Sequence, residues 1–139
     1  MSRADFITGK NKAADLYSDI ANNFARHPLT GDVARVTNEE AVKQSIRNLI
    51  LTNLGERPFQ PNIGSNIRAA MFGPSSLFSE MDVGRAIQDC IEYCEPRAQI
   101  IDLRVQSLPD SNEMRVFMIV RLVNSTIQFP LEIPLKRVR

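Results

Sequence analysis

The chain has 139 residues, 43% of them hydrophobic and 24% charged, which fits one ordinary folded domain rather than two. Seventeen basic and sixteen acidic residues leave a net charge of +1, so neither a nucleic acid nor a membrane surface is expected as the main partner. A domain of this length can hold a core without metals or disulfides, and no charged-then-apolar leader or membrane-length apolar run is read in it.

Residues 1–37 are the least patterned part and read as a variable N-terminal arm that orders against a partner. A short helix fits around Ala13–Asn22. Pro28 and Gly31 then mark a loop leading into a brief extended piece. The main domain is expected over 38–139. Its first helix is signalled by TNEEAVKQSIRNLILTNLGE. Thr37 and Glu40 have capping-box spacing, and Glu39 and Glu40 fall in the first turn, where the helix dipole favours acids. Val42, Ile46, Leu49, Ile50 and Leu54 recur at helical spacing, with Gly55 as a stop. The helix is expected over about Asn38–Leu54.

ERPFQPNIGSN follows. Pro58, Pro61 and Gly64 preclude a regular element, and Arg57 and Gln60 are held extended by the prolines after them. Phe59 reads as an apolar anchor packing inward, with Arg57 facing out. SNIRAAMF fits a short helix before Gly73-Pro74. A second long helix is signalled by SSLFSEMDVGRAIQDCIEYCEP, with Ser79 as cap and Val83, Ile87, Cys90, Ile91 and Cys94 on the inward stripe. Gly84 within it costs about 1 kcal/mol relative to alanine, which suggests a close contact with another element. Pro96 disfavours the helical region for Glu95, so the helix is expected to end at Cys94. Cys90 and Cys94 read as small buried hydrophobes in a reducing compartment.

The tail switches to period two. In AQIIDLRVQSL, Ile101, Leu103 and Val105 alternate with Asp102, Arg104 and Gln106. PDSN is a turn, and EMRVFMIVRLVNS reads as a central strand. In TIQFPLEIPLKRV, Ile127, Phe129, Leu131 and Ile133 share one face. Pro130 and Pro134 both remove donors from one edge, which places this strand at the sheet margin. The fold class is α+β: two long helices and a short one packed on a small, mostly antiparallel C-terminal sheet.

Little in the residues points to catalysis. No nucleophile elbow, phosphate loop, dinucleotide fingerprint or zinc motif is present. Glu56, Glu92, Glu95, Glu113 and Glu132 are candidate acids for a hydrolase, but each reads as solvated surface. His27, before Pro28, reads as a loop residue. No cofactor or metal is expected. One oddity remains: Glu95 lies where a helix dipole favours cations, locked by Pro96 and followed by Arg97. Two readings stand side by side. In one the pair is a local surface ion pair. In the other Pro96 fixes the backbone so that Arg97 offers its planar fork to a partner.

GERPFQPNIGSNI at 55–67 resembles the Gly-x-Arg-Pro-x-x-Pro-x-x-Gly signature of baseplate wedge proteins of contractile-tailed phages, and YCEPRAQI at 93–100 resembles that family's Glu-Pro-Arg motif. The resemblance, to the tail-lysozyme-like group with relatives in type VI secretion baseplates, covers about residues 38–138. It implies a structural, non-enzymatic subunit with a fold like the sheath handshake domain, present in six copies around the tail tube. The implied partners are other wedge proteins, whose helical core bundle receives the Glu-Pro-Arg motif, and the tail sheath, whose arms add to the sheet as strands. It also implies a virion tail location after assembly in the host cytoplasm. The docking residues carried over are Arg57, Pro58, Phe59, Pro61, Gly64, Glu95, Pro96 and Arg97. A type VI secretion subunit and a peptidoglycan-hydrolysing tail lysozyme are the alternatives.

Overall fold

The structure, a computed structural model, describes residues 16–71, 77–108 and 110–136. The order of elements is β1 (Ser18–Ile20), β2 (Arg35–Thr37), α1 (Asn38–Leu51), α2 (Ile67–Met71), α3 (Leu77–Cys94), β3 (Ala98–Leu108), β4 (Glu113–Leu122) and β5 (Gln128–Lys136). The α+β architecture expected from the sequence is the one found. Gly73-Pro74, Pro109 and Ala13–Asp15, on which some expectations fell, lie outside the described residues. No helix among the described residues is long and apolar enough to cross a membrane.

The C-terminal strands form an antiparallel sheet in the order β3-β4-β5. Alternation decides its faces. Met114, Val116, Met118, Val120 and Leu122 of β4 are buried, as are Phe129, Leu131, Ile133 and Leu135 of β5. They meet Val42, Ile46 and Ile50 of α1 and Val83, Ile87 and Ile91 of α3 in one core. Ile127 falls just outside β5 and is 47% exposed, so it does not join the row in which the sequence places it. In β3 a bulge between Ile100 and Asp102 shifts the register. It turns Ile101 out, 46% exposed, while Ile100, Leu103 and Val105 pack on the core. A period-two reading cannot anticipate one inserted residue.

Helix α1 begins as expected but without a capping box. The Thr37 side chain makes no cap hydrogen bond, and Glu40 pairs with Lys43 instead. Asn38, at φ +48, governs the junction. Its Oδ1 accepts from the amides of Leu16 (2.9 Å) and Tyr17 (3.3 Å), while its own amide donates to the Tyr17 carbonyl (2.7 Å). That clasp holds β1 antiparallel to β2, with Ser18 opposite Thr37. Residues 18–20 are therefore a strand where the sequence suggests a helix: pairing across the hairpin overrides a weak local helix preference. The loop through Pro28 and Gly31 and the extended piece after it are as expected.

The C-terminus of α1 comes at Leu51, three residues early. Thr52 is already extended and Leu54 is 51% exposed. The chain turns there because Ser65 comes back alongside: its amide donates to the Thr52 carbonyl (2.8 Å), and its hydroxyl to the Ile50 carbonyl (2.9 Å). Helix α3 ends at Cys94 as expected. Ser79 lies inside it, not at its cap. Gly84 faces β3, where an added Cβ would stand 3.8 Å from Val105 Cγ2.

Candidate docking corner

The end of α3 positions the first half of the site. The Glu95 amide still bonds the Ile91 carbonyl (2.9 Å), and the Ala98 amide turns back to the Glu95 carbonyl (3.1 Å). This tight corner around Pro96 aims the side chains of Glu95 and Arg97 at one another. Arg97 Nε and Nη2 donate to the two oxygens of Glu95 at 2.5 and 2.8 Å, a bidentate fork. The Ser45 hydroxyl, one turn along α1 from Ala41, also donates to Glu95. Glu95 is only 2% exposed. The reading of Glu95 as solvated surface is thus corrected: no local pattern reveals Ser45, fifty residues away, as its partner.

Burial pushes the Glu95 carboxyl toward a higher pKa, but the hydrogen bonds from Arg97 and Ser45 and the Arg97 charge outweigh it, and the group is held below its ordinary value. Arg97 in turn stacks over the Tyr17 ring, 5.5 Å from its centroid, with Asp19 Oδ2 3.8 Å away. Its side chain keeps 29% of its surface open. Sequence reasoning missed Tyr17, Asp19 and Ser45. The only signal for them is aromatic, acidic and hydroxyl character, too common to single them out.

The second half is the loop after α1. Gly64 sits at φ +133, where a Cβ would come within 2.8 Å of the Thr52 carbonyl oxygen. Only glycine lets the loop lie this close to the end of α1. Gly64 is buried and its carbonyl accepts from Cys90 Sγ at 3.1 Å. The residues before it stand out from the body. Arg57, Pro58 and Pro61 are exposed. Phe59 is fully exposed, at 103%, and holds φ +65. The expectation that Phe59 packs inward is overturned: with Gly55 bonded to Pro61 (2.9 Å) and Glu56 to Asn53 (3.1 Å), the loop closes on itself and points Phe59 away.

The two motifs meet. Arg57, Pro58 and Arg97 line one open cleft of about 690 Å³, walled by Asn22, Gln44 and Asn48. Asn22 is tied to Gln44 through its amide (3.0 Å) and to Asn48 through its side chain (2.9 Å), so the β1–β2 hairpin forms the far wall. The Arg57 guanidinium has no hydrogen-bond or ion-pair partner among the described residues. Glu95, buried and bonded to Arg97, does not itself line the cleft, and neither do exposed Pro96 and buried Gly64. Cys90 and Cys94 are free thiols, and burial pushes the Cys90 thiol up to about 12. Among the described residues no three His, Cys, Asp or Glu side chains converge to hold a metal.

The family described as baseplate wedge protein gp25 matches residues 36–126, a span that includes both motifs. Baseplate wedge protein gp25 of Enterobacteria phage T4 is 29% identical over 106 residues, covering 76% of this chain and 78% of that protein. A chain of the anti-feeding prophage baseplate has 27% identity and a TM-score of 0.68, over 79% of this chain and 88% of its own. A putative tail lysozyme from Geobacter sulfurreducens shares the fold at 20% identity, with a TM-score of 0.68 over 73% of this chain and 92% of its own. With a family match across most of its length and the Arg-Pro loop and Glu-Pro-Arg corner joined in one cleft, this chain belongs to the gp25 family of baseplate wedge proteins of contractile systems.

Proposed function

We propose that the protein is a structural subunit of a contractile-tail baseplate, docked on neighbouring wedge proteins through the Arg57–Arg97 cleft and seeding the sheath by strand addition to its sheet. The observation that carries the docking reading is the loop itself. A wholly exposed aromatic in a strained backbone and an unpaired arginine stand side by side beside the Glu-Pro-Arg corner. Exposed aromatics and arginines are the residue types that anchor protein interfaces, and backbone strain persists where surrounding structure holds it for a purpose.

The corner divides the work between its residues. Two of the N–H groups on the Arg97 fork are taken by Glu95, so Arg97 is a rigid platform with one open side. Arg57 is the free cation that can reach a partner carboxylate or the C-terminal end of a partner helix. Six copies around the tail tube, and a place in the tail baseplate of a virion, follow the same reading. A peptidoglycan hydrolase would need a carboxyl held protonated as general acid. Glu95, the buried acid, is held ionised instead, and we propose no enzymatic role. A turbidity assay on permeabilised bacteria should show no lysis above buffer, and lysis would reverse that view.

Arg57→Glu tests the docking. The side chain is exposed and unpaired, so the variant should keep wild-type thermal stability. Its co-purification with wedge proteins of the same baseplate should fall about tenfold or more, as expected for reversing an interface charge. Undiminished co-purification would remove Arg57 from the docking surface.

A further inference from the structure

Alternation along β1 and its flanks turns Ser18 and Ile20 outward and Tyr17, Asp19 and Ala21 toward the body. Tyr17 is partly buried there and Ala21 is buried. An acid between them is out of place unless it meets a cation, and the cation is Arg97. The contact is incomplete. Asp19 Oδ2 lies 3.8 Å from Arg97 Nη2, beyond hydrogen-bond length, and the Asp19 side chain has no hydrogen bond among the described residues. It keeps 44% of its surface open. Glu95 is the contrast: it holds the same guanidinium at 2.5 and 2.8 Å and is almost wholly buried.

Glu95 takes the Nε–H of Arg97 and one N–H on Nη2. The other N–H groups, one on Nη2 and both on Nη1, meet no hydrogen-bond acceptor among the described residues. The Tyr17 ring covers a face of the guanidinium, and Tyr17 is itself tied down through its amide to Asn38 Oδ1 (3.3 Å). Arg97 is thus held in place without Asp19. We propose that Asp19 is a stand-in carboxylate: in the free protein it neutralises the open end of Arg97 without bonding it, and a carboxylate of the wedge partner replaces it on docking. This rests on the docking reading given above. A partner carboxylate at about 2.8 Å bonds the free N–H groups as a charge-assisted pair. Asp19 then turns into water by a side-chain rotation, with β1 left in place. Until that happens Arg97 faces two acids, so an acid not held by further contacts is repelled. Only a partner anchored elsewhere in the cleft, which Asp19 lines together with Arg57 and Arg97, gains enough to displace it. The replacing group is an Asp or Glu side chain, because a helix C-terminus carries only about half a charge. Tyr17 and Asp19 lie outside the family match over 36–126, so the stand-in is supplied by the N-terminal hairpin of this chain.

Asp19→Asn in the full chain, titrated with purified wedge proteins of the same baseplate, tests the proposal. The variant should keep nearly wild-type thermal stability, since an exposed pair at this distance contributes little. Its association constant should rise about threefold to tenfold, because the partner no longer displaces a resident acid. Asp19→Ser, which has no amide oxygen to offer Arg97, should behave alike. Asp32→Asn, the same charge change elsewhere on the hairpin, should leave association as it is. Weaker association of the Asp19 variants would make Asp19 a contact or a support of Arg97 and overturn the stand-in. Unchanged association, or an equal gain in Asp32→Asn, would overturn it too. Arg57→Glu separates this failure from that of docking: loss of association there with Asp19→Asn unaffected leaves the cleft as the docking site, whereas no response from either variant removes the cleft itself.

Discussion

A carboxylate at the C-terminal end of α3 opposes the helix dipole by about 0.3–1 kcal/mol, and burying it costs more. Glu95 survives there because Arg97 and Ser45 supply its hydrogen bonds. Its folded pKa lies below the ordinary value of an unfolded glutamate, roughly 4.3. The stabilisation is therefore fully present above the unfolded value and is lost as pH falls through the folded one. Urea midpoints of the wild type should hold steady from pH 8 to about 6 and decline below about 4, converging there with those of Glu95→Gln. Arg97→Ala strips the buried carboxylate of its counter-charge. It should lower stability by roughly 2–4 kcal/mol at pH 7, the lower end reflecting the partly open arginine. A test of docking at this corner therefore calls for Arg57 in place of Arg97.

At the scale of elements, the loop 55–66 separates support from display. Gly64→Ala places a methyl group against the Thr52 carbonyl in a backbone region closed to alanine. A loss of about 2 kcal/mol or more in denaturant titration is expected. Phe59→Gly should do the reverse. It relieves a φ of +65 and removes no buried surface, so stability should be unchanged or higher by about 0.5–1 kcal/mol. Its association with wedge partners should nevertheless weaken. Legibility differs in the same way. That no helix or strand crosses this loop follows from Pro58 and Pro61 alone. Which way Phe59 points depends on loop-closing bonds between residues six apart, such as Gly55 to Pro61, and those have no sequence signature. The bulge at Ile101 is similar: it exists only relative to β4.

For the whole molecule, one core joins α1, α3 and the sheet, and even the N-terminal hairpin is bound to it through Tyr17 and Asn38. Ile87 is wholly buried at its centre. Ile87→Ala should cost about 2–5 kcal/mol. The loss should appear equally in far-ultraviolet circular dichroism and tyrosine fluorescence, because helix, sheet and the Tyr17 corner unfold together.

The sequence by itself determined the periodic elements: α1 and α3 from apolar spacing, β4 from its mostly apolar run, β5 from alternation, the end of α3 from Pro96, and β5 as an outer strand from Pro130 and Pro134. These are local consequences of backbone geometry and of a missing amide, so a single chain suffices to read them. Only the tertiary structure decided that Glu95 is buried, that Arg57 and Arg97 share a cleft, that residues 18–20 form a strand, and that the Ser107 amide is bonded to Glu80. Each depends on a partner distant in the chain: Ser45 for Glu95, Thr37 for Ser18, Glu80 for Ser107. Such partners are chosen by packing in three dimensions, which local spacing does not encode.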